Sequence, residues 1–305
     1  LTRRLAAAFL AAAATIVAAC GGPAVESIGR PGTGDGEFRD PRGIAVSDDG
    51  LAVLDRTGRM QVLSLDGRFV RACTVVPGDV RRGLPTGAMW LADGSIAVAH
   101  THQSRVVVLG PGGETLRSFG EYGVEPGRFL YPQRITTDAA GDWIVSEYGF
   151  ERTNRVQVFH PDGTLVRVVG SGAEADGHLG RPMGAVALPD GRLIVADLVA
   201  GLVAYERDGR CAGPFGPRPA QDSLYRGICR GDDGDLYVID GGRNELLRLA
   251  PDGALRGRFG AFGDPPEGFR EPWDVAWHGG RVYVADMGNH RVARIDPEAV
   301  SWRRP

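Results

Sequence analysis

Short apolar runs, each broken by a Gly or Asp-Gly turn, follow one another along nearly the whole chain, and the pattern returns six times at intervals of 43 to 50 residues. Each copy opens on a similar stretch: Pro41 to Val46, Pro85 to Trp90, Pro132 to Ile135, Pro182 to Val186, Tyr225 to Cys229 and Pro272 to Ala276. A turn follows, then a second apolar run: Leu51 to Leu54, Ile96 to Ala99, Trp143 to Ser146, Leu193 to Ala196, Leu236 to Ile239 and Val282 to Ala285. Each second run ends at a polar residue, in order Asp55, His100, Glu147, Asp197, Asp240 and Asp286. Third runs such as Val156 to Phe159 come next, then turns such as Asp162-Gly163, then fourth runs closing on pairs such as Phe119-Gly120 and Phe259-Gly260. Glycine and Asp-Gly at the breaks supply positive φ or a fixed bend, so each run reads as a strand. Four short strands per repeat predict an all-β, six-bladed β-propeller of four-stranded antiparallel blades. A single blade cannot cover both its apolar faces, so the ring must close for the core to be buried.

Val284-Ala285-Asp286-Met287-Gly288-Asn289-His290-Arg291-Val292 resembles the most recognisable stretch of an NHL repeat, and Thr153 to Val156 and Gln103 to Val106 are similar in position. The resemblance covers the chain after its leader and implies an NHL-type propeller. Repeats four and five depart from it, with Gly201 and Glu245 where the others carry Arg59, Arg105, Arg155 and Arg291. For ring closure, Ser27-Ile28-Gly29 precedes the first opener as Phe119-Gly120 precedes the third, so Ala24 to Gly29 is expected to form the outer strand of the last blade. The competing segment is Ala299 to Trp302.

Residues 1–19 read differently. Arg3 and Arg4 precede an Ala-rich run that is too short to span a bilayer, which fits a secretory leader. It ends in Val17-Ala18-Ala19-Cys20-Gly21, which resembles a bacterial lipobox; that resemblance implies lipidation of Cys20, a short tether over 20–23 and a propeller over 24–305. An Ala-x-Ala cleavage site beside a chance cysteine is the alternative. The expected product is a bacterial, exported, extracytoplasmic lipoprotein anchored to the membrane of the cell envelope, more than one acyl chain giving stable anchoring. Twin-arginine export is only weakly matched, since Ala6 stands where a bulky apolar residue is favoured.

Composition narrows the chemistry. Forty-six glycines in 305 residues, most at the turns, are turn chemistry. Without residues 1–19 the formal charge falls from −3 to −5, which leaves no basic field for nucleic acid. All 35 basic residues are arginine, so Schiff-base and lysine-nucleophile chemistry is excluded. With Cys20 lipidated an odd number of cysteines remains, and the repeat alignment places Cys211 and Cys229 too far apart to pair, so Cys73, Cys211 and Cys229 are expected to be free thiols.

Strand direction points to one face for function. The innermost strand starts where the second strand ends, so the openers and the six polar residues share an end of the channel. There Arg42, Arg134, Arg226, Trp273 and Asp274 are expected at the mouth as ligand-binding residues. Arg134 and Asp274 replace a glycine kept in the other four copies, a local irregularity of the kind that marks function. The ring Asp55, His100, Glu147, Asp197, Asp240 and Asp286 is either a polar site or a set of strand ends accepting backbone N–H bonds.

Two functional readings follow. In the first, a monomeric, membrane-tethered module grips a peptide, glycan or protein partner, with arginine as bidentate donor and tryptophan as rigid anchor. In the second, the chain is an enzyme resembling peptidylamidoglycolate lyase, an NHL-type propeller whose channel histidines hold zinc; His100, His102 and His178 are the candidates here. Calcium on the carboxylate ring, with a lactonase-like hydrolysis, is a further variant. The binding module is the preferred reading. Nucleophile-elbow, His-Glu-x-x-His and phosphate-loop motifs are absent from the sequence.

Overall fold

A computed structural model describes residues 23–75, 84–150, 153–170 and 178–304. The leader, Cys20 and most of the tether lie outside them. Among the described residues no helix is long and apolar enough to cross a membrane.

Six four-stranded antiparallel sheets follow the sequence repeats. Blade 1 runs Gly43–Ser47, Gly50–Leu54, Arg59–Leu63 and Phe69–Thr74. Blade 2 runs Gly87–Trp90, Ile96–His100, Arg105–Leu109 and Thr115–Phe119. Blade 3 runs Tyr131–Thr137, Trp143–Tyr148, Arg155–Phe159 and Leu165–Val169. Blade 4 runs Pro182–Ala187, Leu193–Asp197, Gly201–Tyr205 and Cys211–Pro214. Blade 5 runs Tyr225–Arg230, Leu236–Asp240, Glu245–Leu249 and Leu255–Phe259. Blade 6 takes Pro272–His278, Arg281–Asp286 and Arg291–Ile295 from the C-terminal repeat and its outer strand, Val25–Ile28, from the N-terminal end of the described chain.

That last pairing closes the ring, with Val25 opposite Ile295 and Ile28 opposite Val292. Val25 and Ile28 are buried, and Arg291 Nη1 donates to Ser27 Oγ at 2.7 Å. The competing C-terminal stretch goes elsewhere. Arg303 bridges to Arg258 on the outer strand of blade 5, and Trp302 packs on Phe259 and Tyr237.

The core is distributed as the repeat pattern requires. Six apolar clusters each fill the gap between two neighbouring blades, including the gap between blades 6 and 1. Where an outer strand hands over to the next blade, a tight stop is set by glycine. Gly260 has φ +79°, and a Cβ on it would lie 2.4 Å from the ring of Phe269, which is fully buried. The three remaining cysteines are free, Cys229 buried and Cys73 and Cys211 half-buried.

Candidate functional site

The opener-side end of the channel is built in two layers, because two successive residues of each inner strand go to different places. In blades 3, 4, 5 and 6 the pairing of the inner strand with the second strand shifts register just after the opener, between Pro132 and Arg134, Pro182 and Gly184, Tyr225 and Ile228, and Pro272 and Asp274. A bulge of this kind re-aims the side chain it releases. The released residues include Gln133, Met183, Arg226 and Trp273, which with Thr86 line the mouth.

In this outer layer Trp273 of blade 6 sits between Arg226 of blade 5 and Arg42 of blade 1. The Arg226 guanidinium lies 4.3 Å and the Arg42 guanidinium 4.8 Å from the indole ring. Burial lowers the pKa of both arginines, and each also feels other arginines nearby: Arg56 for Arg42, and Arg42 and Arg181 for Arg226. Neither makes a salt bridge with a carboxylate among the described residues. Arg226 Nη1 reaches only the carbonyl of Pro272, at 3.4 Å, and Arg42 Nε has no hydrogen-bond partner. The exposed Glu271 adds a favourable field to both without contacting either. The result is a half-buried Arg-Trp-Arg stack with donor capacity to spare.

One residue deeper, Arg134 and Asp274 face each other from opposite blades, 3 and 6. Arg134 Nη1 meets Asp274 Oδ1 directly, and Arg134 Nη2 donates to the carbonyl of Val275 at 2.6 Å. Asp274 accepts from Ile44 N at 3.1 Å and Val275 N at 2.8 Å. The pair therefore forms a buried crossbar over the channel. Burial holds the Arg134 guanidinium down to about 10, which still leaves it charged at neutral pH. The glycines at the same level explain why only these two copies carry side chains there. A Cβ on Gly87 would lie 2.5 Å from Gln133 O, and one on Gly227 would lie 2.8 Å from Val275 N. Between crossbar and mouth only about 10 Å³ remains, room for one water at most.

The six polar residues at the ends of the second strands are all buried. Four of the acids accept a backbone N–H from the loop leading into their own blade: Asp55 from Arg39, Asp197 from Arg181, Asp240 from Leu224 and Asp286 from Arg270. Glu147 does the same with Leu130. Three of them also bind the arginine that opens the third strand, at Asp55–Arg59, Glu147–Arg155 and Asp286–Arg291. Those arginines continue to loop carbonyls, Arg155 to Val124, Glu125 and Arg128, and Arg291 to Pro266 and Gly268. The acid ring thus clamps the loops of the opener face. In blade 5 the polarity is reversed: Glu245 takes the place of the arginine and binds Arg258 and Arg303.

His100 is the exception in the ring. It is buried, neither ring nitrogen has a hydrogen-bond partner among the described residues, and burial together with the Arg105 charge lowers its pKa to about 4. His102 is exposed on the short turn Thr101–Gln103, edge-on to Tyr131, and His178 is exposed in the loop before blade 4. Among the described residues no three His, Cys, Asp or Glu side chains converge closely enough to hold a metal. His100, His102 and His178 therefore do not fit a zinc ion, nor the carboxylate ring a calcium ion. His290, in the repeat motif, accepts the backbone N–H of Asp40 and joins blade 6 to the first opener loop.

Sequence reasoning did not find the apolar part of this face. Tyr122, Val124, Phe150, Val199 and Phe262 all lie in its loops with more than half of each side chain exposed. Tyr131 and Tyr148 stack at 5.1 Å, and Arg181 lies over Tyr148 at 4.4 Å. The signal was available as apolar residues placed in loops rather than at strand periods.

Comparison with known proteins bears on the architecture. The family model described as NHL repeat matches residues 269–295, the opener of blade 6 through the end of its third strand. The fold is a six-bladed β-propeller, and this repeat of it matches the NHL pattern. The chain is 36% identical over 75 residues to human NHL repeat-containing protein 3, a match covering 23% of this chain and 22% of that protein. It spans about a fifth or less of the length of the curated relatives it matches. Among solved structures, virginiamycin B lyase from Staphylococcus aureus is similar with a TM-score of 0.62 and 14% identity, covering 88% of this chain and 98% of the other. A gluconolactonase from Xanthomonas campestris is similar with a TM-score of 0.64 and 18% identity, covering 85% and 86%. At these identities the likeness is one of fold.

Proposed function

We propose that this NHL-type propeller is a binding module whose opener-side face docks an acidic segment of a protein or peptide partner. The observation that carries the reading is the Arg42-Trp273-Arg226 stack: two guanidiniums held against one indole, without a carboxylate partner among the described residues. Carboxylates are the natural complement of such a pair, since charge-assisted bidentate bonds to arginine are short and strong. The exposed aromatic and aliphatic side chains around it supply apolar contact of the kind that anchors protein interfaces. Because the crossbar and the 10 Å³ gap close the channel below, a ligand on this face rests on the surface rather than entering. That favours docking over catalysis in the channel, and a protein or peptide over a glycan.

In the same reading the protein is exported, tethered through a lipidated Cys20 and works as a monomer. The pattern Val17 to Gly21 supports the anchor, and a strand beginning at Val25 leaves at most about 18 Å of reach from Cys20 to the strand. Metabolic labelling with an alkyne fatty acid, lost in Cys20→Ser, tests the anchor.

The docking claim is tested by selecting random displayed peptides on the purified propeller. Enrichment of Asp- and Glu-rich sequences that no longer bind Arg42→Gln with Arg226→Gln supports the face. Enrichment of sequences without acidic residues, or retention by the double variant, rejects it.

A further inference from the structure

A second site lies at the other end of the channel, below the crossbar. There the six inner strands enclose a cavity of about 500 Å³ that opens on the face opposite the Arg-Trp-Arg stack. It is blind, because Arg134 and Asp274 close its inner end. Its volume falls within the range of small-molecule sites, roughly 300 to 1,000 Å³.

The chemistry of its lining is specific. Ala45, Met89, Val186 and Ala276 give an apolar wall, Ser47, Thr137, Asp138 and Arg230 add polar groups to the lining, and Thr136 already donates its hydroxyl to Ala185 O at 2.8 Å. Trp90 and Trp277 stand near the opening with their indole N–H groups committed, to Ala45 O at 3.2 Å and Asp232 at 3.1 Å. Trp277 is further fixed by stacking on Tyr237 at 5.3 Å. These two rings are therefore preorganised apolar surfaces. At the inner end, Arg134 is 8% exposed and its Nε has no hydrogen-bond partner among the described residues, while its charge is matched by Asp274. A buried donor without an acceptor is unfavourable, and a ligand oxygen relieves it.

We propose that this cavity binds a small, neutral, mainly apolar molecule that leads with a single hydrogen-bond acceptor, its oxygen taking the Arg134 Nε hydrogen and its body lying against Met89, Val186, Ala276 and the two tryptophans. A carboxylate is disfavoured at the inner end because Asp274 already supplies the anion. The site is separate from the docking face and uses none of its side chains.

Valerophenone and its deoxy counterpart pentylbenzene are suitable probes, since they differ only in the ketone oxygen. Binding to the full chain is followed by tryptophan fluorescence and by saturation-transfer NMR. Valerophenone should bind saturably at one site per chain, with pentylbenzene about tenfold or more weaker, as expected for one hydrogen bond to a charged donor. Ala276→Phe, or Ala45→Leu should the first variant misfold, should fill the cavity and weaken valerophenone at least tenfold while thermal unfolding stays cooperative. Absence of saturable binding up to the solubility limit, or binding indifferent to a folded cavity-filling variant, overturns the site. Equal affinity for the two probes overturns the role of Arg134.

Discussion

Breaking the channel crossbar gives the sharpest energetic test of how this propeller is held together. In Arg134→Met the Asp274 carboxylate remains buried but keeps the N–H groups of Ile44 and Val275, at 3.1 and 2.8 Å. Removing one partner of a buried pair typically costs about 3–5 kcal/mol, and these two surviving bonds place this variant near about 3 kcal/mol. In Asp274→Asn the guanidinium loses its only anion. That leaves an uncompensated buried charge, which places this variant near about 4 kcal/mol. The double change removes both charges and should cost about 4 kcal/mol, no more than the worse single change. The coupling energy is then about 3 kcal/mol. Urea unfolding followed by tryptophan fluorescence and far-ultraviolet circular dichroism measures it, provided the four proteins share one m-value. Strict additivity, or single changes each below about 1 kcal/mol, would refute the crossbar.

Further expectations concern the rest of the ring. His100 has a folded pKa of about 4 against an ordinary value of 6.5, so the unfolded chain binds its proton first as pH falls; stability should drop between about pH 6.5 and 4, by at most about 3 kcal/mol, and level off below. Urea midpoints across that range should show this slope flattened in His100→Phe; an unchanged slope would show that the buried imidazole is not its origin. Gly87→Ala drives a Cβ to 2.5 Å from the Gln133 carbonyl and should cost about 2 kcal/mol or more, measurable in the same assay, whereas a neutral result would contradict the packing of blades 2 and 3. A chain beginning at residue 30 loses the outer strand of blade 6 with buried Val25 and Ile28, each worth about 1.5–3 kcal/mol. Hydrogen exchange should then accelerate first in Arg291–Ile295, and uniform protection would place ring closure elsewhere.

Much of the architecture was legible because repetition amplifies weak local signals. One apolar run bounded by glycine is ambiguous, but six in register fix strand count and blade count, while the closing strand, favoured in Ala24 to Gly29 over Ala299 to Trp302, is decided by its pairing with Arg291–Ile295. The candidate site was legible only in part. Arg42, Arg226 and Trp273 came from their position after the opener, yet their stacking depends on blades 5, 6 and 1 being neighbours in the closed ring. Arg134 and Asp274 stand out in the sequence as two separate losses of glycine, and their pairing follows only from blades 3 and 6 facing each other across the channel. Register shifts set by backbone pairing, not by residue type, decide that position 273 goes to the mouth and position 274 to the crossbar. The acidic strand ends were readable as backbone acceptors, but their partners lie sixteen or seventeen residues upstream, in loops without a recognisable pattern. The cavity below the crossbar follows from closure of the channel and has no local signature at all.

The central claim is that Arg42, Trp273 and Arg226 receive carboxylates, and its most direct measurement is the salt dependence of binding for an acidic peptide selected on the wild-type propeller. Affinity should fall steadily with ionic strength, drop about tenfold or more for each of Arg42→Gln and Arg226→Gln, and lose most of its salt dependence in the double variant. Affinity and salt dependence unchanged in the folded double variant would contradict the account.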